Sequence, residues 1–155
     1  MDTFFVFGRN EMKILIATDG SSYSNEAIDE SCRIFGHENN EFLVVSVFEG
    51  DVPVMAEPFA ISAEYYQRLE DTLEEQCNTI VADAKKRIEE KASVSVTTAV
   101  LRGFADKMIV EKAAEWGADL IVVGSHGRGF WGRLLGSVSD GVVHHASCNV
   151  MVVRK

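Results

Sequence analysis

Nearly unbroken runs of branched apolar residues constrain the fold of this chain more than any other feature. The runs are KILIAT at positions 13–18, EFLVVSVF at 41–48 and LIVV at 120–123. Because polar residues do not alternate with the apolar ones, each run is typical of a strand buried on both faces of a parallel sheet. Segments with apolar residues at three- and four-residue spacing, the period of a helix packed on one face, lie between them. The sequence therefore predicts an α/β protein with a Rossmann-like open parallel five-stranded sheet and helices on both faces.

Five strands and four helices are predicted in alternation. The hydroxyl of Ser22 can accept a backbone N–H, so Ser22 is the predicted cap of the first helix. Apolar residues from Tyr66 to Ile88 form one stripe of the second helix, and this stripe is predicted to be buried. The predicted strands are 13–18, 41–48, 95–101, 120–123 and 149–153, and the predicted helices run from Ser22 to near Gly36, 63–91, between Gly103 and Gly117, and 137–145.

The stretch 120–139 joins a predicted strand, a glycine-rich segment and the start of a helix. This arrangement presents backbone N–H groups to an anion, and the helix dipole adds to the attraction. The stretch contains no Asp or Glu, whereas His126, Arg128 and Arg133 lie within it. It contains no P-loop pattern, and GxGxxG fits only loosely at 127–132. The stretch predicts a phosphate site, with a flexible glycine-rich surface loop as the alternative.

Composition limits the classes of partner. A chain of 155 residues with 46% hydrophobic and 25% charged residues is expected to be one globular domain. The net charge of −9 argues against nucleic acid and anionic membrane surfaces as partners. Three widely spaced cysteines without a CxxC pair favour a reducing compartment, and no signal peptide or membrane span is recognisable. We therefore expect a cytoplasmic protein.

The first strand follows Met12 almost at once, so residues 1–11 are interpreted as an N-terminal extension and residues 12–155 as the domain. Either Phe4, Phe5 and Phe7 pack on the domain, or the extension is loose.

Three segments carry a resemblance to a known family. They are ILIATDGS at 14–21, the turn at Gly103, and the closing block ADLIVVGSHGRG…LLGSVSDGVVHHASCNVMVVR. On these segments the chain resembles the universal stress protein family from Met12 to Lys155. The resemblance implies a sheet in the order 3-2-1-4-5 and a homodimer paired through the last strand, residues 149–153.

The family includes members that bind ATP and members that do not, and the resemblance favours the first branch. ATP-binding members carry Gly-x2-Gly-x9-Gly-Ser/Thr. Here Gly124 and Gly127 match the first half of this pattern, and Gly136 with Ser137 matches its end. Eight residues, 128–135, separate Gly127 from Gly136, one fewer than in the pattern. The implied ligand is ATP or AMP, with or without Mg²⁺.

The resemblance assigns site residues position by position. Asp19 would lie near the ribose or base, where a plain turn is the alternative. Ser137 would hold phosphate, where a helix cap without ligand is the alternative, and His126 and Arg128 could instead be solvated. The implied site comprises Ala17, Thr18 and Asp19 along the pocket; Val47 at the adenine edge; Val123, Gly124, His126, Gly127 and Arg128 beside ribose and phosphates; and Gly136, Ser137, Val138 and Ser139 at the phosphates.

Three functions from different classes remain open at this point. The first is a regulatory protein that binds a nucleotide and alters its partners accordingly. The second is a slow ATP hydrolase, although Asp19 is the only carboxylate expected at the right end of the sheet and there is no Walker lysine. The third is a dimeric interaction module without a ligand. The neighbours His144 and His145 are expected at a surface or interface, because adjacent helical residues cannot both face one metal.

Overall fold

The computed structural model of the protein describes residues 11–50, 62–126 and 135–154. Strands and helices alternate as predicted, and their ends differ from the predicted ends by at most two residues. Gly36 and Gly117 are the C-caps of the first and third helices. The elements are β1 Lys13–Ala17, α1 Ser22–Phe35, β2 Glu41–Phe48, α2 Ala63–Glu89, β3 Ser95–Arg102, α3 Ala105–Trp116, β4 Leu120–Gly124, α4 Ser137–His145 and β5 Asn149–Val153.

All five strands are parallel, in the order β3-β2-β1-β4-β5. The implied strand order is therefore confirmed. The register places Ala17 of β1 beside Val45 of β2, and Ile16 beside Val122 of β4. Chain connections lead outward from β1 through β2 to β3 and then return to β4 on the other side of β1. Strand order thus reverses between β1 and β4, where open α/β sheets form a crevice at the carboxyl ends of their strands.

Two apolar layers cover the sheet, and β1 contributes to both because successive side chains of a strand point to opposite faces. Ile14 and Ile16 pack with α1 and α2, whereas Leu15 packs with α3 and α4. Burying one such side chain contributes roughly 1.5–3 kcal/mol to stability. Helices therefore lie on both faces of the sheet, as predicted. Among the described residues, no helix is both long and apolar enough to cross a membrane.

The predicted cap of α1 was wrong by one residue. Ser21, not Ser22, is the N-cap, and its hydroxyl accepts the N–H of Ser24 at 3.2 Å. Ser21 has the extended backbone of an N-cap (φ −72°, ψ 165°), whereas Ser22 is already helical. Two adjacent serines offer the same hydroxyl, so the sequence alone does not distinguish them.

The predicted burial of the α2 stripe holds only for the second half of the helix. Its buried residues are Cys77, Val81, Ala84 and Ile88, and the first half is exposed or half-buried throughout. The 27-residue helix is roughly 40 Å long at 1.5 Å per residue. The eight-residue strands β2 and β3 span roughly 26 Å. The helix is therefore longer than the sheet that it covers.

Candidate functional site

A cavity of about 380 Å³ lies at the carboxyl ends of β1, β2 and β4 and extends to the starts of α3 and α4. Its volume is within the range of small-molecule sites. It occupies the edge of the sheet where the strand order reverses, which is the usual place for a ligand in this architecture. The residues that line it are Ala17, Thr18, Asp19, Ser24, Val45, Val47, Ala105, Ile109, Val123, Gly124, His126, Gly136, Ser137, Val138 and Ser139.

Eleven of the thirteen predicted site residues line this one cavity. The other two, Gly127 and Arg128, lie outside the described residues. Four lining residues were missed by the sequence analysis: Ser24, Val45, Ala105 and Ile109. Strand alternation was a signal for Val45, because it lies two residues before Val47 and shares its face.

One wall of the cavity is apolar. Ala17, Val45, Val47 and Val123 come from three strands, and Ile109 faces them from α3. These residues belong to the apolar layer between the sheet and the helices α3 and α4. The wall therefore continues the core to the edge of the sheet, which suits a flat apolar group of a ligand.

A second wall carries hydroxyl groups whose protons are bound within the protein. Thr18 donates to the Ser24 hydroxyl at 3.0 Å, and Ser24 donates to the Ser21 carbonyl at 3.1 Å. The Gly20 N–H in turn donates to the Thr18 hydroxyl at 3.2 Å. The Ser24 hydroxyl also accepts from the Ser21 hydroxyl at 3.5 Å, so both of its lone pairs are used. Because a hydroxyl has two lone pairs, Thr18 keeps one that can accept a hydrogen bond from a ligand.

Asp19 lies two residues after the end of β1. One of its carboxylate oxygens accepts the N–H of Ser21 at 3.0 Å, the geometry of an Asx turn. The turn-forming alternative for Asp19 is therefore observed. Asp19 also lines the cavity, so the two roles coexist at one side chain.

The first turn of α4 closes the opposite end of the cavity. Gly136 is its N-cap, and no side chain of the described residues caps this end of the helix. The backbone N–H of Asp140 donates to the Gly136 carbonyl at 2.9 Å, while the backbone N–H groups of Ser137, Val138 and Ser139 have no acceptor among the described residues. Donors of this kind at the positive end of a helix favour an anion.

The two glycines that line the cavity differ in what surrounds them. A β-carbon at Gly124 would lie 2.9 Å from the backbone carbonyl carbon of Tyr23, which is closer than side chains approach. A β-carbon at Gly136 would lie 3.4 Å from the Cα atom of His126, which is an ordinary contact. Packing against α1 therefore requires glycine at 124, whereas the protein itself leaves room for a side chain at 136.

His126 is half-buried at the end of β4 and lines the cavity. Its Nδ1 atom is 3.0 Å from the Ser125 hydroxyl, and its ring centre is 5.3 Å from that of Tyr23. The imidazole is thus packed against protein groups and is not a freely solvated side chain. The described residues contain no group of three or more His, Cys, Asp or Glu side chains that could hold a metal ion.

The fold and the cavity define a Rossmann-like α/β protein with a ligand-sized site at the switch point of its sheet. The chain belongs to the universal stress protein family, and the sequence model of that family matches residues 12–154.

Curated relatives come from bacteria and archaea. Universal stress protein A homolog 1 of Coxiella burnetii is 33% identical over 144 residues, 90% of this chain and 94% of that protein. Universal stress protein MJ0531 of Methanocaldococcus jannaschii is 37% identical over 145 residues, 92% of this chain and 82% of that protein. Universal stress protein A homolog 2 of Coxiella burnetii is 46% identical over 79 residues, 48% of this chain and 54% of that protein.

Solved structures share the fold over almost the whole chain. The hypothetical protein MJ0577 is 26% identical, with a TM-score of 0.79 over 93% of this chain and 96% of that one. A universal stress protein in complex with cAMP is 23% identical, with a TM-score of 0.66 over 92% and 96%. A universal stress protein family protein from Arabidopsis thaliana with AMP bound is 17% identical, with a TM-score of 0.67 over 93% and 92%.

Proposed function

We propose that this protein is a nucleotide-binding stress-response regulator that holds ATP or AMP and acts as a homodimer. One observation carries the proposal: a single cavity joins an apolar wall to a helix end whose backbone N–H groups have no acceptor within residues 11–50, 62–126 and 135–154. An adenine nucleotide combines the two matching parts, a flat base and an anionic phosphate.

Each wall of the cavity takes one part of the nucleotide. The adenine lies against the apolar wall, with the backbone of Val47 at its edge. The ribose hydroxyls donate to Asp19, beside the remaining lone pair of Thr18. The phosphates accept from the N–H groups of the first turn of α4, and the predicted contacts of Gly127 and Arg128 remain part of the proposal.

Two proteins of the same fold support the class of ligand. One is described in complex with cAMP and the other with AMP bound. Both ligands contain adenine, ribose and phosphate, the three parts that the cavity is proposed to hold. When Mg²⁺ accompanies ATP, phosphate oxygens and water would supply most of its ligands, because the described residues offer no cluster of metal-binding side chains.

The proposed dimer forms through β5, Asn149–Val153. Within the described sheet β5 is an edge strand that pairs with β4 only. An edge strand with apolar residues invites pairing with another chain, and a two-fold dimer satisfies that edge without leaving a new one. The three cysteines are all free thiols, which favours a reducing compartment such as the cytoplasm.

Calorimetric titration of the purified protein with ATP, AMP and adenosine tests the proposal. We expect saturable binding of AMP or ATP with a dissociation constant below about 1 mM, equivalent to about −4 kcal/mol. Adenosine should bind more weakly, because it lacks the phosphate. Titrations with Mg²⁺ and with EDTA show whether the metal contributes. If neither ATP nor AMP binds at millimolar concentration, the proposal is overturned. The dimeric interaction module without a ligand would then be the remaining candidate function.

A further inference from the structure

Ser139 lies in the first turn of α4, and its hydroxyl is directed into the protein. The residue is only 3% exposed. Its hydroxyl is 2.9 Å from the Gly136 carbonyl and 3.1 Å from the Ser125 carbonyl, and it donates to these two oxygens. Because a hydroxyl has one proton, that proton is shared between two protein acceptors. The side chain of Ser139 therefore has no donor left for a phosphate oxygen, which can only accept.

The Ser125 carbonyl, just after β4, accepts two hydrogen bonds from the start of α4. It accepts the backbone N–H of Gly136 at 2.9 Å as well as the Ser139 hydroxyl. Ser125 is itself held in the sheet, since its N–H donates to the Val153 carbonyl of β5 at 2.8 Å. The start of α4 is thus attached to the sheet through one carbonyl, by one backbone donor and one side-chain donor.

We propose that Ser139 is a positioning residue for phosphate binding and acts through the Ser125 carbonyl. The hydroxyl holds the first turn of α4 so that the N–H groups of Ser137 and Val138 face the cavity. This placement is set by the bonds at Ser125 and does not depend on the number of residues between Gly127 and Gly136. A segment one residue shorter than the family pattern is then compatible with phosphate binding. The inference rests on the proposed function and deepens it.

The substitution Ser139→Ala removes the hydroxyl and leaves every backbone N–H in place. We expect the dissociation constant for AMP to rise about tenfold, which corresponds to about 1.4 kcal/mol, and that for adenosine to change less than twofold. Ser139→Thr retains a hydroxyl at the same carbon and should restore AMP affinity to within about threefold. Calorimetry with both ligands on each variant measures the two constants.

Ser31→Ala is the matched control. Ser31 is fully buried in α1, and its hydroxyl donates to the Ala27 carbonyl at 2.8 Å, away from the cavity. This variant loses the same kind of hydrogen bond and should lose comparable stability against urea. Its affinities for AMP and adenosine should stay unchanged. An equal loss of AMP affinity in both variants would assign the effect to stability and overturn the inference.

Insertion of one glycine between Gly132 and Arg133, four residues after the proposed contact residue Arg128, restores the spacing of the family pattern and tests the second half of the inference. AMP affinity should change by less than about threefold, whereas a change of tenfold or more in either direction would show that segment length places the N–H groups.

The tests separate failure of the proposed function from failure of this inference. If the unaltered protein binds neither AMP nor ATP, the proposed function fails. If it binds AMP and Ser139→Ala keeps the AMP-to-adenosine affinity ratio within twofold, only this inference fails.

Discussion

Gly124 lies so close to Tyr23 that a β-carbon at position 124 would stand 2.9 Å from the backbone carbonyl carbon and oxygen of that tyrosine. The contact joins the end of β4 to the first turn of α1 beside the crevice between β1 and β4. Backbone atoms on both sides leave nothing flexible to move aside. The glycine at this position is therefore explained by packing, whether or not a ligand also approaches it.

Gly124→Ala should destabilise the fold, because the new methyl group overpacks a backbone contact. We expect a loss of about 1–3 kcal/mol in the free energy of unfolding, measured by urea denaturation. Gly136→Ser is the control, since a β-carbon there meets only ordinary contacts and serine is a favoured N-cap. Its stability should stay within about 0.5 kcal/mol of the unaltered protein. Equal stability of the two variants would contradict this explanation of Gly124.

Gly136→Asp should weaken nucleotide binding while leaving the fold intact. The carboxylate would cap α4 and bind the same N–H groups that the phosphates are proposed to use, and its charge would repel them. We expect AMP affinity to fall at least tenfold, about 1.4 kcal/mol. Gly136→Asn separates charge from size, because it adds a similar side chain without charge and should cost less affinity. Equal AMP affinity in Gly136→Asp and the unaltered protein would argue against phosphate at the start of α4.

Asp19→Ala should weaken binding of ATP and adenosine by a similar factor, because this carboxylate is proposed to contact the ribose and not the phosphates. The loss of one charge-assisted hydrogen bond is worth roughly 1.5–3 kcal/mol. Asp19→Asn is the informative control, since its amide oxygen can still accept the Ser21 N–H and preserve the turn. If Asp19→Asn binds both ligands normally and Asp19→Ala does not, Asp19 acts through the turn alone.

Val152→Pro should convert the proposed dimer to a monomer. The Val153 carbonyl accepts from Ser125 on the β4 side, and successive residues of a strand direct their backbone groups to opposite edges. The Val152 N–H is therefore directed to the free edge, and proline removes it without breaking the bonds to β4. Val152→Thr keeps the N–H and should remain a dimer. Light scattering coupled to size exclusion measures the mass of each variant, and a monomeric unaltered protein at micromolar concentration would contradict the proposal.

The ion pair between α1 and α2 should make stability depend on pH in the acid range. Arg87 donates to both carboxylate oxygens of Asp29, at 2.6 and 2.7 Å, and Lys91 lies 2.8 Å from one of them. Hydrogen bonding from Arg87, with a further contribution from Lys91, lowers the pKa of Asp29 to about 2. Because the folded-state pKa lies below the unfolded one, the pair stabilises the fold above about pH 4. That stabilisation is lost as the pH falls from about 4 to about 2.

Arg87→Met tests this dependence. We expect a loss of about 1 kcal/mol at pH 7, after allowing for solvent screening of a half-exposed pair, and a smaller difference from the unaltered protein at each pH below 4. Urea denaturation across this range gives the two curves. Arg33→Met, which breaks the exposed pair with Glu30, should change stability less. A difference that is constant from pH 7 to pH 2 would assign the effect of Arg87 to packing.

The sequence by itself determined the order of the elements and their ends to within two residues, because those features depend on neighbouring residues. Apolar runs identified β1, β2 and β4, and glycine positioned the ends of α1 and α3. The resemblance to the family, carried over position by position, also located eleven residues of the cavity, since they lie at the carboxyl ends of strands or the start of α4.

Only the tertiary structure decided which partners meet across the chain. Ser24, Ala105 and Ile109 reach the cavity because α1 and α3 pack against opposite faces of the sheet, a distance relationship that no local pattern encodes. The first half of α2 has no buried residue because the helix is longer than the strands beneath it. The Ser139 hydroxyl points to Ser125, 14 positions earlier, because the end of β4 and the start of α4 meet there in space.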